Sequence, residues 1–356
     1  MNSKVIVIRL FCLLLIVLLS ACEERFYFDI NNRTKSVFIH GFYTQDQGVV
    51  QVNVQNDVGD ARRNEGIEDA HVIIKNDNGF QRTLNHQSDG DYLSFIDVDS
   101  LANYWIEVEL IDGSIYRSEE ERTPSFTASS SLDFEQDKVT STSNSGVNFI
   151  QDVVSFNMDV QFADTAREQY FMWIYEENYM FLMTDFPDPL GYVPPPCYVT
   201  QTPGGPGFYI FSRSDFNGNT HRVEHLFTRT IDKSFLRRHE FNLYQMSISR
   251  SYYNYMLQVQ NLTGDVGSIF DKPPGRVGGN IYAVNEDQHS VVGFFGAVRS
   301  DTVRTSLYYQ DVDAFIQDDC EYNPNKPSYS YERACFDCTS LPRTSFVRPS
   351  HWNDVD

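Results

Sequence analysis

Short stretches in which apolar and polar residues alternate one by one are the feature that most constrains the fold of this chain. Residues 50–55 have the sequence VQVNVQ, and residues 105–110 and 156–162 repeat the pattern. Because neighbouring side chains of an extended strand point to opposite faces of a sheet, a two-residue period predicts strands that bury one face. Aromatic residues, 14% of the chain, also favour strands. The sequence therefore predicts a mainly β protein.

Glycines that follow Asn or Asp divide the first part of the chain at short intervals. Asn78-Gly79, Asp89-Gly90 and Asp112-Gly113 are turn sequences of the kind that join neighbouring antiparallel strands. Short strands at this spacing predict an immunoglobulin-like antiparallel β-sandwich over residues 35–125.

The composition shifts over residues 126–148, where Ser, Thr, Asn and Asp dominate. A polar segment of this kind is typical of a connection between domains. We therefore expect a second, larger β-rich domain over residues 149–356. Within it, residues 186–207 contain seven prolines and four glycines, which predict an ordered loop that Cys197 ties down.

One segment of the second domain has a helical period instead. Apolar residues recur three, four, seven and ten positions after Tyr252, and Ser251 is the expected N-cap, with Gly264 just past the end. We expect a short helix that covers the open side of a sheet. The alternative is that its aromatic face binds a ligand.

The first residues predict an export signal. Residues 11–19 form an apolar run that is too short to span a bilayer comfortably and suits the core of a signal peptide over residues 1–21. The small residues just before Cys22 complete a bacterial lipoprotein cleavage sequence. Cys22 is therefore the predicted lipidation site, and residues 22–34 are the predicted linker. The alternative is an ordinary secreted protein with a chance cysteine at this position.

The formal net charge of −21 limits the partners that the protein can have. It argues against nucleic acid, whose phosphates require a basic surface. Removal of residues 1–21 takes away two basic residues and leaves −23. Because an acidic body is repelled by an anionic leaflet, we expect the N-terminal lipid alone to hold the protein to the membrane.

Four cysteines remain once Cys12 leaves with the signal peptide and Cys22 is acylated: Cys197, Cys320, Cys335 and Cys338. An even number in an exported chain favours two disulfides, and three connectivities are open. Three of the four lie near the C-terminus, so we expect the bridges to pin the tail to the body. Cys335 and Cys338 also form a C-x-x-C, for which a redox or zinc role is the alternative.

The sharpest candidate for a catalytic site is the segment His221-Arg222-Val223-Glu224-His225. It fits the H-x-x-E-H pattern of a zinc hydrolase, which requires both histidines on one helical face. On a strand they would lie about 13 Å apart, too far to share one zinc ion. The flanking residues favour a strand. We therefore predict no catalytic residue, no metal site and no cofactor, with the zinc hydrolase as a minor alternative.

Several segments resemble the domain-of-unknown-function 4249 family of Bacteroidota outer-membrane lipoproteins. They are SVFIHGF at 36–42, GIEDAHV at 66–72, IFDKPP at 269–274, GNI at 279–281, GFFGA at 293–297, CFDC at 335–338 and RPSHW at 348–352. Two departures are visible: the family's Gly-Gly after the second cysteine of the tail is absent, and His351 stands where Phe is usual.

The resemblance implies an outer-membrane lipoprotein that is often encoded beside a TonB-dependent receptor. It also implies an immunoglobulin-like N-terminal domain and a larger β-rich C-terminal domain, but no ligand and no catalytic residues. Glu23-Glu24 resembles the surface-export signal of such lipoproteins, whereas the alternative is a solvated linker. We expect a non-enzymatic, surface-facing accessory of a TonB-dependent receptor in nutrient capture or import. A structural or adhesive envelope protein is the alternative.

Overall fold

The computed structural model describes residues 36–57, 64–125, 128–143, 145–162, 168–202, 208–264, 277–285 and 290–352. The predicted signal peptide, Cys22 and the whole of the predicted linker lie outside these residues, as does the IFDKPP segment. From Ser36 onward the chain forms one compact unit.

The described part of the chain is mainly β, which confirms the predicted class. Its strands are β1 (Ser36–Thr44), β2 (Val49–Asp57), β3 (Asn64–Gly66), β4 (His71–Asn76), β5 (Gln81–Thr83), β6 (Asn85–His86), β7 (Asp91–Phe95), β8 (Tyr104–Glu109), β9 (Ile115–Ser118), β10 (Ala128–Thr142), β11 (Asn148–Phe162), β12 (Tyr170–Phe181), β13 (Cys197–Gln201), β14 (Phe208–Ser212), β15 (Thr220–Thr230), β16 (His239–Ile248), β17 (Ile281–Ala283), β18 (Ser290–Leu307) and β19 (Thr344–Ser345). Helix α1 spans Arg250–Gly264.

The strands form three sheets. An eleven-stranded sheet has the order β19-β13-β12-β16-β18-β1-β2-β7-β6, with β14 beside β12 and β3 beside β2. A five-stranded sheet has the order β17-β9-β8-β4-β5, and a three-stranded sheet has the order β10-β11-β15. The two halves of the chain meet where β1 pairs with β18, in register from Ser36 with Ser290 to Thr44 with Val298. This pairing is parallel, so the N-terminal sandwich is not purely antiparallel as predicted.

The first sandwich packs one end of the eleven-stranded sheet against the five-stranded sheet. Alternate residues of the strands point into its core, as Val52 and Ile106 do with no exposed surface. Two contributions come from far along the chain, because Ile281 of β17 and Phe295 of β18 belong to the same core. A sandwich therefore forms from the predicted residues 35–125, but strands beyond residue 280 complete it.

The second sandwich packs the three-stranded sheet against β12 and β16. Its centre is aromatic: the ring centroid of Phe156 lies 3.9 Å from that of Phe241 and 4.6 Å from that of Phe227. Aromatic pairs at such distances add to the stability gained from buried area.

Two segments that were predicted as irregular contain strands. Residues 128–142, inside the predicted connection 126–148, form β10, which pairs with β11 over its whole length. The prediction failed because β10 is an edge strand whose side chains are mostly polar and half-exposed, so only Leu132 and Phe134 alternate with polar residues. Within 186–207, the first five prolines end at residue 196, and the proline-free residues Cys197–Gln201 form β13.

Helix α1 covers the sheet as predicted, but its cap differs. The backbone N–H of Tyr252 donates to the hydroxyl of Ser249 at 3.2 Å, whereas the Ser251 hydroxyl donates to Glu121 at 2.6 Å. The buried ring of Tyr252 stacks on Phe294 at 4.9 Å. A Cβ on Gly296 would lie 2.5 Å from that ring, so this glycine makes room for the helix.

The Gly279-Asn280-Ile281 segment locks β17 onto β18. The side-chain amide of Asn280 donates to the carbonyl of Phe295 and accepts from its N–H, both at 2.9 Å. A Cβ on Gly279 would lie 1.7 Å from the carbonyl oxygen of Gly293, so only glycine allows this approach. The GNI segment at 279–281 and the GFFGA segment at 293–297 are thus two sides of one contact.

Candidate functional site

The four tail cysteines form two disulfides. Cys197 pairs with Cys338 and Cys320 pairs with Cys335, with Cα–Cα distances of 6.5 and 5.1 Å. The two cysteines of the C-x-x-C are therefore not partners of each other, and both are fully buried. A bridge from β13 to Cys338 pins the tail to the body. Because both thiols are used in this way, the alternative of a redox or zinc site at the C-x-x-C has no support here.

The last described residues also lie against the sheet. The Nε2 of His351 is 2.5 Å from a carboxylate oxygen of Glu240, a buried residue of β16. Trp352 packs edge-on against Tyr198 at 5.4 Å and lies under the guanidinium of Arg238 at 4.6 Å. The terminal RPSHW motif is thus an anchor for the tail.

The H-x-x-E-H segment lies on β15, as its flanks predict. The His221 ring packs on Phe216 at 4.1 Å, whereas the Nε2 of His225 is 4.0 Å from the carboxylate of Glu135. His225 has a φ of 51°, close to a register shift between β11 and β15. The helix that a zinc hydrolase requires is therefore absent at this segment. Among the described residues, no three His, Cys, Asp or Glu side chains are grouped so as to hold a metal ion.

A polar cleft lies where the two sandwiches adjoin. Its central cavity has a volume of about 810 Å³. Most of its wall residues have side chains that can form hydrogen bonds. The wall consists of Asp46, Ala128, Ser129, Gln161, Phe162, Asn219, Gln245, Ser247, Arg299, Ser300 and Asp301. They come from the β1–β2 turn, from one end of the three-stranded sheet and from the middle of β16 and β18.

Two smaller cavities continue the polar cleft in both directions. One of about 460 Å³ shares Ser129 and Gln161 with the centre and extends over the three-stranded sheet to His221. The other, of about 500 Å³, shares Arg299 and extends to Leu101 on the first sandwich. Together the cavities give one continuous, hydrogen-bonding surface across both sandwiches.

Four of the six Asp and Arg side chains that line the polar cleft form ion pairs. The Nε of Arg299 is 3.6 Å from the Asp46 carboxylate, which also accepts from the backbone N–H of Ser300 at 3.0 Å. Arg222 contacts the carboxylates of Asp133 and Asp159 at 2.7 and 3.0 Å. The hydrogen bond from Arg222 lowers the pKa of Asp133, so this pair stays ionised. The cleft therefore offers hydroxyl and amide groups in a surface where local charges are balanced.

Nothing in the sequence pointed to this cleft. Its residues are single Ser, Asn, Gln and Asp side chains from distant segments, and Ser129 lay in the supposed connection. Only the fold brings them together, and no local spacing connects them.

A family model described as a domain of unknown function (DUF4249) matches residues 23–304. The chain belongs to the DUF4249 family. The matched region contains nearly all of both sandwiches and every residue that lines the polar cleft, whereas three of the four tail cysteines lie beyond it. No curated protein matched this DUF4249 chain. In the described part of the chain, no helix has the length and apolar character needed to cross a membrane.

Proposed function

We propose that this DUF4249 protein is a lipid-anchored binding protein of the bacterial outer membrane. In this proposal it is not an enzyme, and it assists a TonB-dependent receptor in the capture or import of a polar nutrient. The polar cleft is the observation that supports it. A central cavity of about 810 Å³ is within the range of roughly 300–1,000 Å³ that small-molecule sites have in proteins.

The lining of the polar cleft favours an uncharged, hydrogen-bonding ligand. Most of its charged groups are already paired, as the Asp46–Arg299 contact at 3.6 Å illustrates. Ser, Asn and Gln side chains supply both donors and acceptors. A ligand rich in hydroxyl or amide groups, such as an oligosaccharide or a peptide, would match these groups without the cost of burying an unpaired charge.

The anchor fits a protein that works beside a receptor. Acylation at Cys22 would attach the chain to the membrane, and the segment from there to Ser36 can extend to at most about 50 Å. The acidic body, at −21 over the full chain, would stay off an anionic lipid surface. The polar cleft would then be presented in solution next to an integral membrane partner.

Gentle purification tests the partnership. The tagged full chain is extracted from cell envelopes in mild detergent, and copurifying proteins are identified by mass spectrometry. We expect a TonB-dependent receptor in near-equal amount, and the absence of any outer-membrane barrel contradicts the accessory role.

The lipid anchor is tested separately. The variant Cys22→Ser is expected to leave the membrane fraction, and an unlipidated mature N-terminus in the natural protein contradicts the anchor.

A cleft variant tests the binding site separately. Ser129 is exposed at the junction of two cavities, so Ser129→Trp is expected to block the cleft without entering a core. Thr83→Trp, on the exposed strand β5, is the matched control. We expect Ser129→Trp to retain the receptor yet slow growth on the transported nutrient, with the control unchanged. Equal growth of both variants contradicts a role for the cleft.

A structural or adhesive envelope protein is the second candidate. The observation that favours it is a set of large apolar side chains left almost fully exposed, with Leu190, Phe315 and Tyr329 exposed by 93, 90 and 89%. Such residues suit contacts with another surface. Deletion of the gene separates the two candidates, because altered attachment with unimpaired nutrient use indicates adhesion.

A further inference from the structure

The hairpin of β10 and β11 extends beyond the sheet to which it belongs. Strand β15 pairs with β11 only between Val153 and Gln161, whereas β10 and β11 remain paired as far as Thr142 and Asn148. We call the projecting part, residues 138–143 and 145–152, the β-arm. Its five paired positions give it a length of about 17 Å.

The β-arm has no charge along most of its length. Residues 139–151 contain no Asp, Glu, Lys or Arg, in a chain whose net charge is −21. Its apolar side chains are exposed: Ile150 by 71%, Val147 by 61% and Phe149 by 43%. Exposed apolar residues grouped in this way are typical of an interaction surface.

The outer edge of the β-arm is also open. Strand β10 is the last strand of its sheet, and among the described residues no strand pairs with its other side. Just before the arm, at Gln136, the tail covers this edge through two hydrogen bonds with the backbone of Asp313, at 2.9 and 2.7 Å. Proteins protect such edges with charge, proline, a bulge or a cover. Beyond Lys138 the β-arm has none of these up to Thr142, which is expected of an edge with a partner.

We propose that the partner is a second copy of this chain. Two β-arms would pair in antiparallel orientation along β10, with Thr140 of one copy facing Thr140 of the other. Since Thr140 also faces Ile150 within each arm, the pairing makes one uninterrupted row of four β-branched residues across both copies. Thr–Thr and β-branched neighbours are favourable cross-strand pairs. The contact is self-complementary, as a twofold interface must be.

The distribution of charged residues along β10 favours this register, and it favours a second copy of the chain as the partner. Around Thr140, Val139 faces Ser141 and Lys138 faces Thr142, so no like charges meet. A register displaced toward the body would instead oppose Asp133, Glu135 and Asp137 with the same acidic residues of the second copy. Contact through the acidic bodies would be opposed in the same way. The β-arm is the uncharged projection through which two copies can meet while their bodies stay apart.

Cysteine cross-linking in intact envelopes tests the register. The full chain carries Thr140→Cys, which stands on the twofold axis, or Thr83→Cys, a matched threonine on the exposed edge strand β5. The four tail cysteines are already paired. On mild oxidation we expect about tenfold more covalent dimer from Thr140→Cys than from Thr83→Cys, because paired strands hold the two thiols at a high effective concentration. Equal yields, no dimer, or a covalent product with a different protein each overturn the proposal.

A charge variant tests the same contact without cross-linking. Thr140→Asp places two carboxylates on the axis, whereas Thr83→Asp adds the same charge elsewhere. Native mass spectrometry of the purified full chain is expected to show a dimer for the natural protein and for Thr83→Asp, and a monomer for Thr140→Asp. A dimer that persists in Thr140→Asp, or a monomeric natural protein, overturns it. Both measurements are independent of the ligand and the receptor, so failure here leaves the proposed function untouched.

Discussion

The Nε of Arg229 donates to both carboxylate oxygens of Glu177, at 3.1 Å each, and the carboxylate has no exposed surface. The amide of Gln201 donates to the same carboxylate at 2.8 Å, and the Nε2 of His239 lies 3.4 Å away. Asp232 binds the other end of the guanidinium at 2.9 Å. An ionic cluster is therefore built into the second sandwich at the strands that carry the disulfide-pinned tail.

Neutralising the buried carboxylate is expected to cost much of the stability. Glu177→Gln leaves Arg229 without its buried partner, and removal of one member of a buried ion pair costs about 3–5 kcal/mol. Asp159→Asn is the matched control, because it removes one of two carboxylates from the exposed Arg222 and should change the free energy of unfolding far less. Urea denaturation of both variants makes the comparison, and similar losses in the two contradict the importance of the buried pair.

The same ionic cluster makes the free energy of unfolding depend on pH. Burial alone would raise the pKa of Glu177, but the hydrogen bond with His239 and the charge of Arg229 outweigh it and hold that pKa below its usual value of 4.5. The pKa of Asp232 is lowered as well, because Arg229 and Ser234 outweigh its burial. A lowered folded pKa contributes stability that is present above the unfolded pKa and is lost as the pH falls through the folded one.

We therefore expect the free energy of unfolding to fall on acidification below the unfolded value of 4.5. Glu177→Gln should lose less stability over that interval than the natural protein, because its side chain at this position does not titrate. Urea denaturation at a series of pH values measures both. Parallel curves for the two proteins contradict this assignment of the acid sensitivity.

Strands that bury one face could be predicted from the sequence because apolar and polar residues alternate along them, as in residues 50–55. The same reasoning placed His221 and His225 on a strand. It failed for β10, whose edge position leaves polar residues such as Ser130 and Asp133 on both faces, and it could not foresee that Phe295 completes a core begun by β1. Local patterns describe a strand's burial but carry no information about which distant strand lies beside it.

The sequence predicted neither the cap of α1 nor the polar cleft correctly, and the two reasons are related. Ser249 and Ser251 are equally good caps by type, and the choice depends on Glu121, which is distant in sequence and occupies the Ser251 hydroxyl. The cleft is assembled from side chains that have no common motif. Position in the fold, which a single sequence does not state, decides both.

The spacing of the four tail cysteines left three pairings open. The pairing in the structure can be tested by removing each disulfide in turn. Cys197–Cys338 closes a separation of 141 residues and Cys320–Cys335 one of 15. In the chain-entropy account, their removal as serine pairs costs about 5 and about 3 kcal/mol respectively. Denaturation of the two double variants checks the order, and peptide mapping of the natural protein should recover these two linkages. A Cys335–Cys338 linkage contradicts the structure.

The parallel contact of β1 with β18 should fail when a side chain is added at Gly293. This residue has a φ of 138°, and a Cβ there would lie 1.8 Å from the carbonyl oxygen of Ile39, so β18 would have to move away from β1. Gly113 also has a positive φ, of 85°, but no atom lies within 4 Å of its Cβ position. Gly113→Ala should therefore cost only the backbone strain of about 1–2 kcal/mol.

We expect Gly293→Ala to cost clearly more than Gly113→Ala in urea denaturation, or to leave too little soluble protein to measure. Both substitutions add one methyl group at a positive φ, so the difference between them isolates the close approach of the two strands. Because this contact joins the first sandwich to the second, its loss should lower the stability of both at once, as a single transition. Equal costs for the two variants, or a transition in which only one sandwich unfolds, contradict the view that β1 and β18 bind the two halves into one unit.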